Sequence, residues 1–207
     1  MWIAVTGNIG SGKSTLARML EQRGAQRVDA DVLSRQTVEE SVPLRREFAE
    51  AFGADILNED GQLNRRELAI RALANRSGRQ RIESIVRPHL EPVLLAHLSG
   101  AESAASDMGG VVVLDAPLVF EWGIEGWFER VFLVVADPVT ATKRITESRQ
   151  MSLAEIHQRQ AAQLSATEHS TDRSTVCETV DNNGSLNDLR TMADEIWSTL
   201  VSPRTAG

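Results

Sequence analysis

Residues 7–14 read GNIGSGKS, which fits the pattern G-x-x-x-x-G-K-[ST] of a phosphate-binding loop. The short apolar run at 2–6 predicts a buried strand before this stretch, and the spacing of Leu16, Met19 and Leu20 predicts a helix after it. A loop between a strand and a helix is the setting in which this pattern binds phosphate, because loop N–H groups and the helix N-terminus both attract anions. The sequence therefore predicts a nucleotide phosphate site close to residue 10.

The residue types in this loop have separate tasks. Its glycines allow backbone N–H groups to turn inward around phosphate oxygens. Lys13 has the length to reach the β and γ phosphates, and the Ser14 hydroxyl is a suitable ligand for Mg²⁺. The residues predicted to hold the nucleotide are Gly7, Asn8, Ile9, Gly10, Ser11, Gly12, Lys13, Ser14 and Thr15.

Strands and helices alternate along the rest of the chain. Further strands are predicted at 26–29, 111–117, 130–137 and 176–181. The long stretch from 34 to 98 has mostly helical periodicity, which Pro88 and Pro92 punctuate, and shorter helices are predicted at 139–148, 153–164 and 186–200. Apolar strands that alternate with helices indicate an α/β fold with a parallel sheet covered on both faces, and ligands bind such sheets at the carboxyl ends of the strands.

Three aspartates follow predicted strands. Asp29 and Asp31 end the second strand and, at strand spacing, would lie on the same side of it. A carboxylate there can orient an attacking hydroxyl and accept its proton, although Asp31 also suits a helix N-cap. Asp115 ends an apolar strand and is predicted to hold Mg²⁺; the alternative is an ordinary turn residue.

The composition excludes several classes of protein. The 207 residues carry a net charge of −7, which argues against a nucleic-acid partner or a polybasic membrane binder. The chain has one cysteine, Cys177, so an intramolecular disulfide is ruled out. We find neither a targeting segment nor an apolar run long enough to span a membrane, so we expect a cytoplasmic protein. Residues 65–87 nevertheless contain seven arginines against two glutamates, a local basic region suited either to phosphate binding or to a solvated helix face.

Several kinds of protein carry a phosphate loop. The chain lacks the guanine-reading motif N-K-x-D, and its acidic pair lies where a phosphoryl acceptor would be expected, so the residues favour a small-molecule kinase. Seven motifs in this order resemble the bacterial dephospho-coenzyme A kinases. They are TGNIGSGKST (6–15), VDAD (28–31), FGADIL (52–57), DGQLNRREL (60–68), VLDAPLVFE (113–121), RVFLVVAD (130–137) and VDNNGSL (180–186).

The resemblance implies a fold and a reaction. The family fold is that of the P-loop NTPases, a five-stranded parallel sheet flanked by helices, with a helical substrate subdomain and a lid. On this chain the nucleotide core would comprise 1–35, 110–140 and 174–202, the substrate subdomain 36–99 and the lid 141–173. The family transfers the γ-phosphoryl group of ATP, with Mg²⁺, to the ribose 3′-hydroxyl of dephospho-CoA. We expect a monomer, with a homo-oligomer as the alternative.

The resemblance also implies residue roles. Asp31 matches the proposed catalytic base, while Thr6 and Asp29 lie in active-site motifs and are expected to contact the substrate. Arg144 falls in the lid; Arg149 neighbours Ser148, where the family has its second lid arginine, so both arginines are expected to be catalytic. Asn182 and Gly184 match the turn near the adenine, and Arg65 and Arg66 match residues at the substrate. Arg87 departs from the family, which usually has a histidine there, and it is also expected to bind the substrate.

Two other functions remain open on the residues alone. One is a P-loop kinase for another small hydroxyl acceptor, such as a nucleoside or a sugar. The other is a nucleotide-binding module without catalytic activity.

Overall fold

Five strands form one parallel sheet in the computed structural model, which describes residues 1–72, 76–105, 110–148 and 177–202. The strands are β1 (Trp2–Thr6), β2 (Gln26–Asp29), β3 (Val112–Asp115), β4 (Arg130–Val135) and β5 (Cys177–Asp181), in the order β2-β3-β1-β4-β5. All four pairings are parallel, and Ala4 in β1 lies opposite Leu114 on one side and Val131 on the other. The sheet and its P-loop fold class are therefore as predicted, although β3 and β4 end two residues earlier than the apolar runs suggested.

Helices surround this sheet or form a separate unit. Within the described ranges they are α1 (Lys13–Glu21), α2 (Ala30–Glu40), α3 (Val42–Phe52), α4 (Arg65–Ala72), α5 (Arg76–Ala105), α6 (Pro138–Ser148) and α7 (Leu186–Val201). Single 3-10 turns occur at Ala54–Ile56 and Glu125–Trp127. The helix predicted at 153–164 lies outside the described residues.

The chain divides into two compact units. One comprises Met1–Asp29 with Leu98–Gly207, and the other comprises Ala30–His97. The first unit contains the sheet, whose core includes Ile3, Val5 and Phe132, all fully buried. Burial of such side chains is the main stabilising contribution to the unit, because each removes a large apolar surface from water.

Side-chain hydrogen bonds cap the starts of two helices. The hydroxyl of Ser185 accepts a hydrogen bond from the Asp188 N–H, and Asp188 accepts from the Ser185 N–H at 2.7 Å, which makes a capping box at the start of α7. In the second unit, Ser41 caps α3 by accepting from the Leu44 N–H at 3.2 Å.

Two predictions were wrong in detail. β2 ends at Asp29 and α2 begins at Ala30, so Asp31 lies in the first helical turn and does not continue the strand. Pro88 and Pro92 do not interrupt the helical stretch but lie inside α5, where each removes a backbone donor and crowds the carbonyl four residues before it. The helix continues through them because its apolar face, including Leu90 and Leu94, is buried.

Candidate active site

The loop between β1 and α1 is held by contacts that leave no room for side chains. Gly7 has φ 147°, and a Cβ there would lie 2.3 Å from the carbonyl oxygen of Val134 at the end of β4. Gly12 has φ 97°, and a Cβ there would lie 2.2 Å from Nδ2 of Asn182. Both glycines are therefore required by close packing as well as by backbone conformation.

The start of α1 is suited to binding an anion. Gly12 is its N-cap residue and has no side chain that could satisfy the first N–H groups of the helix. The partial positive charge of the helix N-terminus adds to that of Lys13, its first residue. The Ser11 hydroxyl is buried and has no hydrogen-bond partner among the described residues, so it is a further group that a bound phosphate could satisfy.

The hydroxyl of Ser14 lies beside a buried carboxylate. Its Oγ donates a hydrogen bond to Oδ1 of Asp115 at 3.1 Å, and Asp115, the last residue of β3, is only 4% exposed. Burial raises the pKa of Asp115, while Lys13, the Ser14 hydroxyl and Arg27 act in the opposite direction. The predicted pair of metal-ligating residues is thus brought together in the structure.

The oxygen atoms of Ser14 and Asp115 fit Mg²⁺, which prefers hard oxygen ligands. Within the described ranges, no group of three or more His, Cys, Asp or Glu side chains is placed to hold a metal ion. The pair of Ser14 and Asp115 suits an ion that keeps several water molecules and takes further ligands from substrate phosphates, as Mg²⁺ does.

Arg27 was not predicted from the sequence as a site residue. Its Nη1 donates to Oδ2 of Asp29 at 2.8 Å and to Oδ2 of Asp115 at 3.0 Å. Burial lowers the pKa of Arg27, but the hydrogen bond to Asp29 and the charges of Asp29, Asp115 and Glu21 outweigh that effect and raise it. The signal was the two-residue spacing of Arg27 and Asp29 on one strand, which places both side chains on the same face.

The turn after β5 supports the phosphate loop from the side. Nδ2 of Asn182 donates to the carbonyl of Ser11 at 2.7 Å, and Asn182 is 4% exposed. Arg144 on α6 donates to the carbonyls of Asn182, at 2.7 Å, and Gly184, at 3.0 Å. Three residues predicted to act at the nucleotide are therefore joined in one hydrogen-bonded cluster with the loop.

The remaining predicted residues fall in different parts of the structure. Thr6, the last residue of β1, is 1% exposed and lies in the first unit. Asp31, Arg65, Arg66 and Arg87 belong to the second unit. Arg149 lies outside the described residues.

The arginines of the second unit differ in their partners. Arg65 pairs with Glu39 at 2.8 Å and Arg87 with Glu91 at 2.5 Å, while Arg66 is exposed and forms no ion pair among the described residues. Arg71, in the same basic stretch, has a structural role.

Arg71 donates to Asp55, to Glu67 and to the carbonyl of Phe52. The hydrogen bond to Asp55 is the largest of the effects that raise the pKa of Arg71. Some arginines of residues 65–87 are therefore candidates for substrate binding, whereas Arg71 forms ion pairs and hydrogen bonds that join α4 to the end of α3 and to the turn at Ala54–Ile56.

Comparison with known proteins identifies the family of the chain. A family model for dephospho-CoA kinase matches residues 1–188. The dephospho-CoA kinase of Cutibacterium acnes is 36% identical over 199 residues, which cover 96% of this chain and 84% of that protein. The crystal structure of TT1252 from Thermus thermophilus is 31% identical, with a TM-score of 0.75 and 97% of both chains covered.

A further solved structure shares the fold at lower identity. Dephospho-CoA kinase from Campylobacter jejuni is 19% identical, with a TM-score of 0.68 over 97% of this chain and 96% of that one. No helix in the described ranges is both long and apolar enough to cross a membrane. With its phosphate loop, its parallel sheet and a family match over residues 1–188, the chain belongs to the dephospho-CoA kinase family, whose members phosphorylate dephospho-CoA with ATP to give CoA.

Proposed function

We propose that this chain transfers the γ-phosphoryl group of ATP with Mg²⁺ held at Ser14 and Asp115 and with Asp31 as the general base. The observation that carries the proposal is the hydrogen bond of 3.1 Å between Ser14 and Asp115, which joins the phosphate loop to the end of β3. This contact supports a magnesium site beside the phosphate loop, because it brings a hydroxyl oxygen and a carboxylate oxygen together there.

The phosphates of ATP are bound by residues 7–15. The N–H groups at the start of α1 donate to phosphate oxygens, and the ammonium group of Lys13 pairs with the β and γ phosphates. Asn182 supports the loop through its hydrogen bond to Ser11, and Arg144, besides its proposed catalytic role, fixes the turn at 182–184.

Ser14 and Asp115 would hold Mg²⁺ through a hydroxyl oxygen and a carboxylate oxygen. The ion would neutralise charge on the phosphoryl group during transfer. Asp115 suits this task because its burial makes an uncompensated negative charge unfavourable, and a cation relieves that cost.

The acceptor is activated by proton transfer. Asp31 accepts the proton of the ribose 3′-hydroxyl as the hydroxyl oxygen forms a bond to the γ-phosphorus, and the bond from that phosphorus to the bridging oxygen of ADP breaks. Asp31 is exposed in the first turn of α2, where a carboxylate is also stabilised by the helix N-terminus. Asp29 and Thr6 are proposed to contact the acceptor.

The second unit is proposed to bind the CoA moiety of the acceptor. Arg65, Arg66 and Arg87 supply positive charge for the diphosphate, because the planar guanidinium pairs well with phosphate oxygens. Arg65 and Arg87 would exchange their glutamate partners for phosphate. We propose the same division as the family resemblance implies, with a nucleotide core at 1–35, 110–140 and 174–202, a substrate subdomain at 36–99 and a lid at 141–173. The lid is proposed to bring Arg144 and Arg149 to the nucleotide.

We further propose a cytoplasmic monomer. The presence of a single cysteine supports a reducing compartment.

Replacement of Asp31 by Asn tests the catalytic assignment. The variant keeps the size of the side chain and loses the proton acceptor, so kcat should fall at least ~10²-fold while the affinity for a non-hydrolysable ATP analogue is unchanged. Glu40→Gln, at an exposed position on the same helix, is the matched control and should retain the full rate. An unchanged kcat in Asp31→Asn would remove Asp31 from the mechanism.

A further inference from the structure

Arg27 lies between the two carboxylates at the end of strands β2 and β3. Asp29 is directly opposite Asp115 in the register of these neighbouring strands, and Arg27 is two residues before Asp29 on the same face. One nitrogen of its guanidinium, Nη1, donates to both carboxylates, at 2.8 and 3.0 Å. A second nitrogen, Nε, lies 3.3 Å from Oε2 of Glu21, at the end of α1.

The carboxylate of Asp115 is consequently held from both sides. Its Oδ1 accepts from Ser14 and its Oδ2 accepts from Arg27, so neither oxygen can turn without breaking a hydrogen bond. The Arg27 side chain is 18% exposed and the Asp115 side chain 4% exposed, so solvent screens this contact less than it would an ion pair at the surface.

We propose that Arg27 is a positioning residue that fixes the Asp115 carboxylate for its divalent cation and limits how tightly that cation binds before ATP arrives. This inference rests on the proposed role of Ser14 and Asp115. Two carboxylates on adjacent strands repel each other, and the guanidinium balances them in the nucleotide-free protein. The same positive charge repels a divalent cation at Asp115, so protein without ATP retains the ion weakly.

Removal of this charge has opposite effects on cation affinity and on catalysis. Without Arg27 the carboxylate pair lacks its counter-charge, so it binds a divalent cation more tightly. The carboxylate is also less well oriented, so turnover falls. A role in packing alone would lower stability and would leave cation affinity unchanged.

The probe is Mn²⁺, whose binding to nucleotide-free protein is followed by electron paramagnetic resonance. We expect the dissociation constant for Mn²⁺ to fall at least threefold in Arg27→Gln, because one opposing charge next to a divalent ion is worth about that much or more. Arg27→Lys keeps the charge and should remain within twofold of the wild-type value.

Arg23→Gln is the matched control. Arg23 has a side chain 17% exposed and pairs with Asp194 at 2.7 Å, but neither residue contacts the carboxylate pair among the contacts described above. This variant should lose some thermal stability and keep the wild-type affinity for Mn²⁺.

Asp115→Asn separates the role of Arg27 from the existence of the metal site itself. If Asp115→Asn loses Mn²⁺ binding while Arg27→Gln binds Mn²⁺ as the wild type does, Arg27 has no such role and the metal site stands. If Asp115→Asn binds Mn²⁺ normally, the metal site and the inference both fall.

Folding of the variants is checked by circular dichroism. If Arg27→Gln does not fold, Arg27→Met, which also removes the charge but keeps an apolar side chain of similar length, takes its place with the same expected threefold gain in Mn²⁺ affinity. A wild-type affinity in a folded variant without the charge would refute the charge-based role.

Discussion

Replacement of Asn182 by Ala should weaken both the fold and the binding of ATP. Asn182 is 4% exposed, its side chain donates to the Ser11 carbonyl of the phosphate loop at 2.7 Å, and its Nδ2 also lies against Gly12. Truncation to Ala removes the donor and leaves a buried carbonyl without this partner. It also leaves a cavity beside the loop.

The size of the effect follows from these contacts. Loss of one partner of a buried hydrogen bond costs about 1–3 kcal/mol, so we expect the free energy of unfolding to fall by about 2 kcal/mol. For a chain of this length that corresponds to a Tm lower by about 4–8 °C. If about 1 kcal/mol of this loss is taken from the free energy of ATP binding, KM for ATP rises about fivefold.

Thermal unfolding and steady-state kinetics measure the two effects separately. Asn183→Ala is the matched control, because the neighbouring Asn183 is exposed and its Oδ1 accepts from the Asp137 N–H at 2.7 Å, away from the loop. That variant should keep the wild-type KM for ATP. A wild-type Tm and KM in Asn182→Ala would refute the view that the turn after β5 supports the phosphate loop.

Three further predictions concern single residues. Lys13→Ala should reduce ADP release to background without loss of the fold, because the lysine pairs with phosphates; full activity would contradict the assignment of the loop. Gly12→Ala should lose ATP binding in a calorimetric titration, since its φ is 97° and its Cβ would overlap Asn182; tight binding would contradict the packing. The backbone and hydroxyl hydrogen bonds of Ser185 lower the pKa of Asp188, so its stabilising effect is present above the ordinary aspartate pKa of about 4 and is lost as the pH falls through the lowered value. Asp188→Asn should therefore be less stable than the wild type in denaturant titrations at pH 7, and the difference should close in acid; a constant difference would contradict the capping-box assignment.

Local signals in the sequence were sufficient for most of the fold. The five strands are short apolar runs, and the glycine-rich loop between β1 and α1 fits a known pattern, so both could be predicted without the structure. Asp115 was recognisable because it follows Val113 and Leu114 at the end of such a run. The distinction between strand and helix failed at Asp31, since one residue decides whether the chain continues extended or begins α2.

Contacts between distant residues could not be predicted in this way. Arg27 contacts Asp115 because β2 and β3 are neighbours in the sheet. Local hydrophobic patterns predict strands but do not predict the order of the strands in a sheet. Asn182 supports the phosphate loop across 171 residues of sequence. The family match suggested that Asn182 mattered, but its contact with Ser11 required the structure.

The most direct test of dephospho-CoA kinase activity is ADP release from Mg-ATP with and without dephospho-CoA, beside adenosine and a panel of sugars. We predict turnover with dephospho-CoA alone, with CoA as the product by mass and the new phosphate at the ribose 3′ position by ³¹P NMR. ATP binding without turnover on any of these acceptors would contradict it and would indicate a nucleotide-binding module without kinase activity.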